Sequence, residues 1–320
     1  MKICSMTPIK LFFHAIGGHE LVFALALWSA VGATAAETSR TFASPEAAVA
    51  ALVTAVDSQD ASAIRDLFGP VATELENRDE VQAANEHIAF ARALNKAARI
   101  ARQSESRCVL EVGDQNWPFP IPIIKRDGQW FFDTEAGKEE LLNRRIGRNE
   151  LATLAVMRAC VQAQREYATR DHDDDEVLEF AQKFISTPGT KDGLYWPPDL
   201  DGEISPLGPL VANAQRLGYK HQPQDPQPSP EPFHGYFFKV LTSQGKHAPG
   251  GKHTYIINGN MIAGFAFVAW PASYGESGIM TFIVNQQGRV YQKDLGQRTI
   301  KSAASMQAYD PDDAWAVSPD

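Results

Sequence analysis

The sequence predicts an α+β protein: N-terminal helices plus a curved antiparallel sheet, then a long helix packed on an antiparallel meander. Three observations carry this expectation. Apolar residues recur at helical spacing over residues 45–102 and again over 137–184. They alternate with period two over 107–113 and in four runs beyond Phe233. Between the second helical stretch and those runs, residues 187–232 are dense in proline and glycine, which reads as irregular surface loop. The expected organisation is a leader over residues 1–36, an α+β domain over 37–136, and a second α+β domain over 137–320 that contains the 187–232 loop.

The first helix opens at Ser44-Pro45-Glu46, where Ser44 can cap, Pro45 suits the first turn and Glu46 complements the helix dipole. Val49, Leu52, Val53 and Val56 give it one apolar face. A short helix with Ile64, Leu67 and Phe68 follows. A long alanine-rich helix is then expected from about Glu80 to Arg102, with Ile88, Ala91 and Leu94 on one side. Residues 107–113 alternate as a strand, and PIPIIKRDGQWFF reads as a hairpin turning at Asp127-Gly128. From Gly137 to Phe184 the chain reads as helical, with Leu141, Ile146, Leu151, Leu154, Val161 and Tyr167 in a broken apolar stripe. The final runs, GYFFKVL, KHTYIINGN, MIAGFAFVAWP and GIMTFIVNQQGRVYQKDL, are read as strands of the meander. A one-sided sheet must cover its apolar face, and the helix over 149–167 is the available cover.

At the N-terminus, Lys2 and Lys10 precede the apolar run LVFALALWSAVGA, and Ala33-Thr34-Ala35 fits a small-residue cleavage pattern. This order predicts a cleaved secretory signal and a mature chain starting at Ala36 or Glu37. The run is too short to span a bilayer comfortably, and no later stretch reaches spanning length. The whole chain has a net charge of −9, and loss of Lys2, Lys10 and Glu20, together +1, makes the mature chain −10. That acidity argues against binding a nucleic-acid backbone, which needs a concentrated basic face. The expected location is periplasmic or secreted. There an oxidising compartment permits Cys108 and Cys160 to pair, the alternative being two buried thiols.

The densest group of oxygen ligands is DHDDDEVLE. Set against a calcium loop, Asp171, Asp173, Asp175 and Glu179 would supply side chains and Val177 a carbonyl. Glu176 stands where such loops have glycine, and Gln182 where they have a bidentate glutamate, so a solvated acidic turn is the competing reading. His234, His247 and His253 match no standard zinc spacing, residues 245–251 lack the setting of a phosphate loop, and Ser243 and Ser273 lack a nucleophile elbow. His87, on a helix, reads as solvated. Among the aromatics, Phe237, Phe265 and Phe267 are assigned to the core. Tyr195, Trp196 and Tyr274 are left as an exposed surface for a glycan, a peptide or an envelope protein.

Helices followed by a strand-RDGQW-strand hairpin, over roughly residues 41–133, resemble the cone-shaped nuclear-transport-factor-2-like (NTF2-like) folds. Asn149-Glu150 with the helix to Tyr167, Gly235-Tyr236-Phe237-Phe238, Ala269-Trp270-Pro271, residues 274–278 and Phe282-Ile283-Val284-Asn285 resemble the globular part of type IV pilins and pseudopilins. Where pilins carry the apolar half of their helix, this chain has a polar joint, which implies a pilin-like fold put to another use. The stretches STPGTKDGLYWP, HGYFFKVLTSQGKHAPGG and FAFVAWPASYGESGIMTFIVNQQGRVYQKDLG are similar to a bacterial family of exported proteins, domain of unknown function 2950 (DUF2950). That resemblance brings no activity with it. The expected function is a soluble envelope protein acting as a non-catalytic binding or organising module. The alternatives are a periplasmic hydrolase with a site assembled from distant residues, and an accessory part of a secretion or pilus-like apparatus.

Overall fold

Local capping chemistry sets the first helices. In the computed structural model, which describes residues 39–198, 202–219 and 232–319, Ser44 accepts a hydrogen bond from the Ala47 N–H (3.2 Å) and Pro45 starts α1 (Pro45–Asp57). The expected leader, residues 1–36, lies outside the described residues. Asp60 caps α2 (Ala61–Phe68), and Asp79 caps α3 (Glu80–Lys96). The helix expected to reach Arg102 stops at Lys96. Residues Ala98–Ser104 are strand β1, paired antiparallel with β2 (Arg107–Val112) so that Arg102 lies opposite Cys108. Arginine and alanine favour helix, but the ladder to β2 overrides that weak local preference. Ile88, expected on the covered face of α3, is 51% exposed, and Leu94 is the residue that α3 buries.

Strands β3 (Trp117–Pro118), β4 (Ile123–Arg126) and β5 (Gln129–Phe132) complete the first sheet, in the order β1-β2-β4-β5 with β3 beside β2. The β4–β5 turn falls at Asp127-Gly128, both at positive φ (51° and 82°), as a tight primed hairpin turn requires. Cys108, Leu110, Val112, Ile123 and Phe132 point to one face, where Ala48, Leu52, Leu67 and Phe68 of the helices cover them.

Helix α4 (Thr134–Tyr167) runs for 34 residues from a cap at Asp133. Leu141 in its first half packs on the first apolar cluster, whereas Leu154, Met157, Cys160, Val161 and Tyr167 belong to a second cluster. The helical reading to Phe184 is corrected, because Lys183–Ile185 is β6, which runs parallel to β7 (Gly193–Tyr195). The proline- and glycine-rich stretch holds β7 and helix α5 (Gly208–Leu217) where irregular loop was expected, and its residues 199–201 and 220–231 lie outside the described residues.

The meander begins with β8 (Tyr236–Leu241) and resumes after an excursion. The excursion contains β9 (Ser243–Gln244), β10 (His253–Thr254), β11 (Ile256–Ile257) and β12 (Asn260–Met261). KHTYIINGN is therefore not a meander strand. It leaves the sheet and turns back at Asn258-Gly259, again with positive φ at both residues (53° and 99°). Then come β13 (Ala266–Pro271), β14 (Met280–Asn285), β15 (Tyr291–Asp294), α6 (Thr299–Ala304), β16 (Ala308–Tyr309) and β17 (Ala316–Val317). Every pairing in the order β8-β13-β14-β15-β17 is antiparallel, and α4 packs on β13 and β14. The α+β class is thus observed. Phe265 and Phe267 are fully buried, while Phe237 is half-buried against Trp270.

Cys108 and Cys160 do not pair. Each is a free, buried thiol, the first in the cluster under the N-terminal sheet and the second in the cluster under the meander. Burial raises both thiol pKa values, that of Cys160 to about 12. Among the described residues, no helix is long and apolar enough to cross a membrane.

Candidate functional site

The polar residues that join the two apolar clusters form one hydrogen-bonded network. Asp79 caps α3 and yet is only 5% exposed. Its Oδ1 accepts from the Gln82 N–H (2.9 Å), and its Oδ2 accepts from the Tyr219 hydroxyl (2.7 Å) and the Gly235 N–H (3.2 Å). Gln82 Nε2 donates to Asn149 Oδ1 (2.7 Å), and Asn149 Nδ2 donates to the Ser277 carbonyl (2.8 Å). The next residue of α4, Glu150, accepts from the N–H groups of Ile279 and Met280 at 2.9 Å each. Buried polar groups need such partners, and here the need ties α3, α4 and the start of β14 together. Gly235 has φ +71°, and a Cβ there would lie 2.7 Å from Asn149 Nδ2, so only glycine fits.

Beside this network lies an open cleft of about 330 Å³, walled by Gln82, Asn85, Glu86, Arg148, Tyr219 and His234. Of these, Arg148 Nη2 donates to Glu86 Oε1 (2.8 Å). Asn85 Nδ2 donates to the Val81 and Leu217 carbonyls, which leaves its Oδ1 facing no donor among the described residues. His234 sits at φ +51°, an uncommon backbone for a non-glycine residue, with its ring against Phe233 at 4.3 Å. Its imidazole makes no hydrogen bond among the described residues. Burial lowers the His234 pKa against the opposing pull of Asp79, which favours a neutral ring with one donor and one acceptor. Burial, reinforced by its bond to Asp79, holds the Tyr219 hydroxyl far above its ordinary pKa, so it stays protonated. The cleft can therefore both donate and accept hydrogen bonds beside one ion pair.

The acidic loop forms a second candidate site. Asp171, Asp173 and Asp175 can bring one carboxylate oxygen each within 4.8 Å of one another. Asp171 accepts from the N–H groups of Asp173, Asp174 and Glu176, and these bonds, led by that of Glu176, lower its pKa. Burial and the neighbouring Asp175 raise that of Asp173. Asp174 and Glu176 have φ +62° and +66°, so position 176 takes up the left-handed turn without the glycine that calcium loops use there. Glu179 is not in the group of three: it accepts from the Met261 N–H (2.8 Å). Val177 donates its N–H to Asp175, and Gln182 binds the Gly259 carbonyl.

The exposed aromatic surface is corrected. Tyr195 is 8% and Trp196 4% exposed, because β7 tucks beneath α4 and Trp196 meets Tyr167 edge-on at 6.5 Å. Tyr274 is half-buried and donates to Asp294 Oδ2 (3.2 Å). His87 is exposed, as expected. His247 sits on Asp310 and His253 on the Gly251 carbonyl, and among the described residues the histidines form no three-ligand metal group. Ser273 Oγ donates to Glu276 and Ser243 Oγ to the Gln307 carbonyl. Sequence reasoning missed Glu86 and Tyr219 altogether, and Arg148 reads from the sequence only as a surface arginine of the second helical stretch. It weighed His234 only as a zinc ligand and Asn149-Glu150 only as part of a fold resemblance.

Fold and site together define an α+β protein with a polar cleft where its two apolar clusters meet. The chain belongs to the family described as Protein of unknown function (DUF2950), which matches residues 39–317. No curated protein and no solved structure matches it.

Proposed function

We propose that this is an exported envelope protein, periplasmic or secreted, that binds a polar ligand in the cleft between α3 and α4 without transforming it. The observation that carries this reading is His234, a ring whose two nitrogens have no hydrogen-bond partner among the described residues, at the wall of a cleft beside the satisfied network of Asp79, Gln82 and Asn149. The export signal in the sequence and the acidic charge agree with it. In this reading the NTF2-like and pilin-like modules serve as the scaffold on which the cleft is built.

The test is capture from an envelope fraction with the mature chain as bait, beside an Arg148→Ala and a His234→Ala bait. A component retained by the mature chain and lost by both variants supports the reading, and identical capture by all three refutes it. Fractionation of cells, with N-terminal sequencing of the product, tests export.

Two further readings have an observation each. Glu86 and His234 share the cleft, which suits general acid–base chemistry in a hydrolase. Turnover of chromogenic esters, glycosides or phosphates that is lost in His234→Gln would favour it over binding alone. The three gathered aspartates suit calcium, bound weakly because Glu179 and Gln182 are engaged elsewhere. Millimolar calcium then raises the melting temperature of the mature chain but not of Asp173→Asn. Calorimetry without calcium heat at that concentration removes the idea.

A further inference from the structure

The cleft also constrains what can enter it. Among the described residues lining it, the fixed charges are one cation and one anion, Arg148 and Glu86, already paired at 2.8 Å and partly open to solvent, with side chains 58% and 32% exposed. An anion entering here would be repelled by the Glu86 carboxylate and by that of Asp79 beyond Tyr219. A cation would compete with Arg148 in turn. An apolar guest would take the pair out of water without replacing its hydration, which is costly. What remains is a neutral molecule whose adjacent groups can each donate and accept. A vicinal diol does this: one hydroxyl accepts from the unspent Arg148 donors while its neighbour donates to the second Glu86 oxygen, and the ion pair stays whole. His234 and Asn85 Oδ1 offer a second donor and two acceptors on the same cleft, and Ala89, Ala152 and Leu217 supply the apolar part of its lining.

The strained backbone at 234 supports a binding role for that residue. His234 holds a left-handed conformation directly before Gly235, which is pressed against Asn149 and Ser277. Such outliers persist where surrounding contacts enforce them, and they cluster at ligand sites.

We propose that the cleft binds a neutral saccharide, with vicinal hydroxyls bridging Arg148 and Glu86 and a further hydroxyl on His234. This rests on the reading of the cleft as a binding site and narrows it to one class of ligand.

The mature chain, displayed multivalently so that weak binding is read, is applied to an array of neutral, anionic and zwitterionic glycans and short peptides. Neutral glycans are expected to be retained. The best of them, as a free oligosaccharide in calorimetry, is expected to lose about tenfold in affinity in Arg148→Ala and in His234→Ala, in keeping with one hydrogen bond lost in each. Circular dichroism melts of both variants verify that they fold. Retention only of anionic glycans or of peptides overturns the proposal. So does a neutral glycan whose affinity is unchanged in both variants. Silence of the whole array, with envelope capture still lost in the variants, overturns the saccharide and leaves the cleft reading standing. Silence of both fails both.

Discussion

Replacing Asn149 by alanine tests whether the joint network holds the two halves of the protein together. The side chain is 1% exposed, and its loss strips the Ser277 carbonyl of its donor and Gln82 Nε2 of its acceptor. Ser277 is buried, so its stranded carbonyl costs about 2 kcal/mol, within the range for an unsatisfied buried group. Gln82 borders the open cleft and can turn to water, which limits its share to about 0.5–1 kcal/mol. Alanine is the better helix former, which returns roughly 0.6 kcal/mol in the interior of α4. The net expectation is a destabilisation of about 2 kcal/mol. Urea unfolding followed by far-ultraviolet circular dichroism gives this value by linear extrapolation, provided the slope is unchanged. A Gln82→Ala cycle should return a coupling of about 1 kcal/mol between the two side chains. A loss below about 0.5 kcal/mol, or no coupling, would mean that the joint is held by apolar packing and that the network contributes little.

Other expectations concern separate parts of the molecule. Neither Cys108 nor Cys160 should react with an aromatic disulfide reagent at pH 8 in the native protein, and both should react in denaturant. Rapid native labelling would contradict their burial. Glu176→Gly should stabilise the protein by about 1 kcal/mol, because glycine holds the left-handed backbone without penalty, and a lower melting temperature would contradict this. For Asp192, burial pushes the carboxyl pKa up, but hydrogen bonds from Lys183, Thr187 and Thr190 outweigh it and leave the pKa well below the ordinary value. The folded state therefore takes up this proton less readily than the unfolded state. The Asp192 contribution is present above the ordinary carboxylate range and is lost as pH falls through the lower folded value. Asp192→Asn should flatten the acid limb of a stability-against-pH curve, and an unchanged limb would refute the assignment.

The parts of the fold that were legible in the sequence are those where one short stretch carries its own physics. Ser44-Pro45 announces a helix start, Asp127-Gly128 a hairpin, and the alternation over Arg107–Val112 a strand with one covered face. Reading failed where a distant partner decides. Ala98–Ser104 has the composition of a helix and becomes a strand because β2 lies beside it. Tyr195 and Trp196 sit among prolines and glycines, yet pairing with β6 and packing under α4 bury them. The cleft was invisible for the same reason. Glu86, Arg148, Tyr219 and His234 come from widely separated positions, and nothing in the residues around any one of them points to the others. The three aspartates were legible because they are neighbours in the chain, whereas the diversion of Glu179 to β12 was not.

Helix α4 acts as a rotational gauge between the halves it serves. Its early turns are keyed to the first cluster through Leu141 and its later turns to the second through Leu154, Met157 and Cys160, so the angle between the two faces is set by the number of residues separating them. One residue inserted between Ile146 and Asn149 would turn the later face by about 100° and advance it by about 1.5 Å, swinging the meander and its cover out of phase with the first cluster. Seven inserted residues would nearly restore the angle but lengthen the shaft by about 10 Å, beyond the reach of the Gln82–Asn149–Ser277 bridge. The spacing within this one helix is therefore as much a part of the protein's specification as any side chain in it, and a chain altered in that interval should lose the cleft before it loses either core.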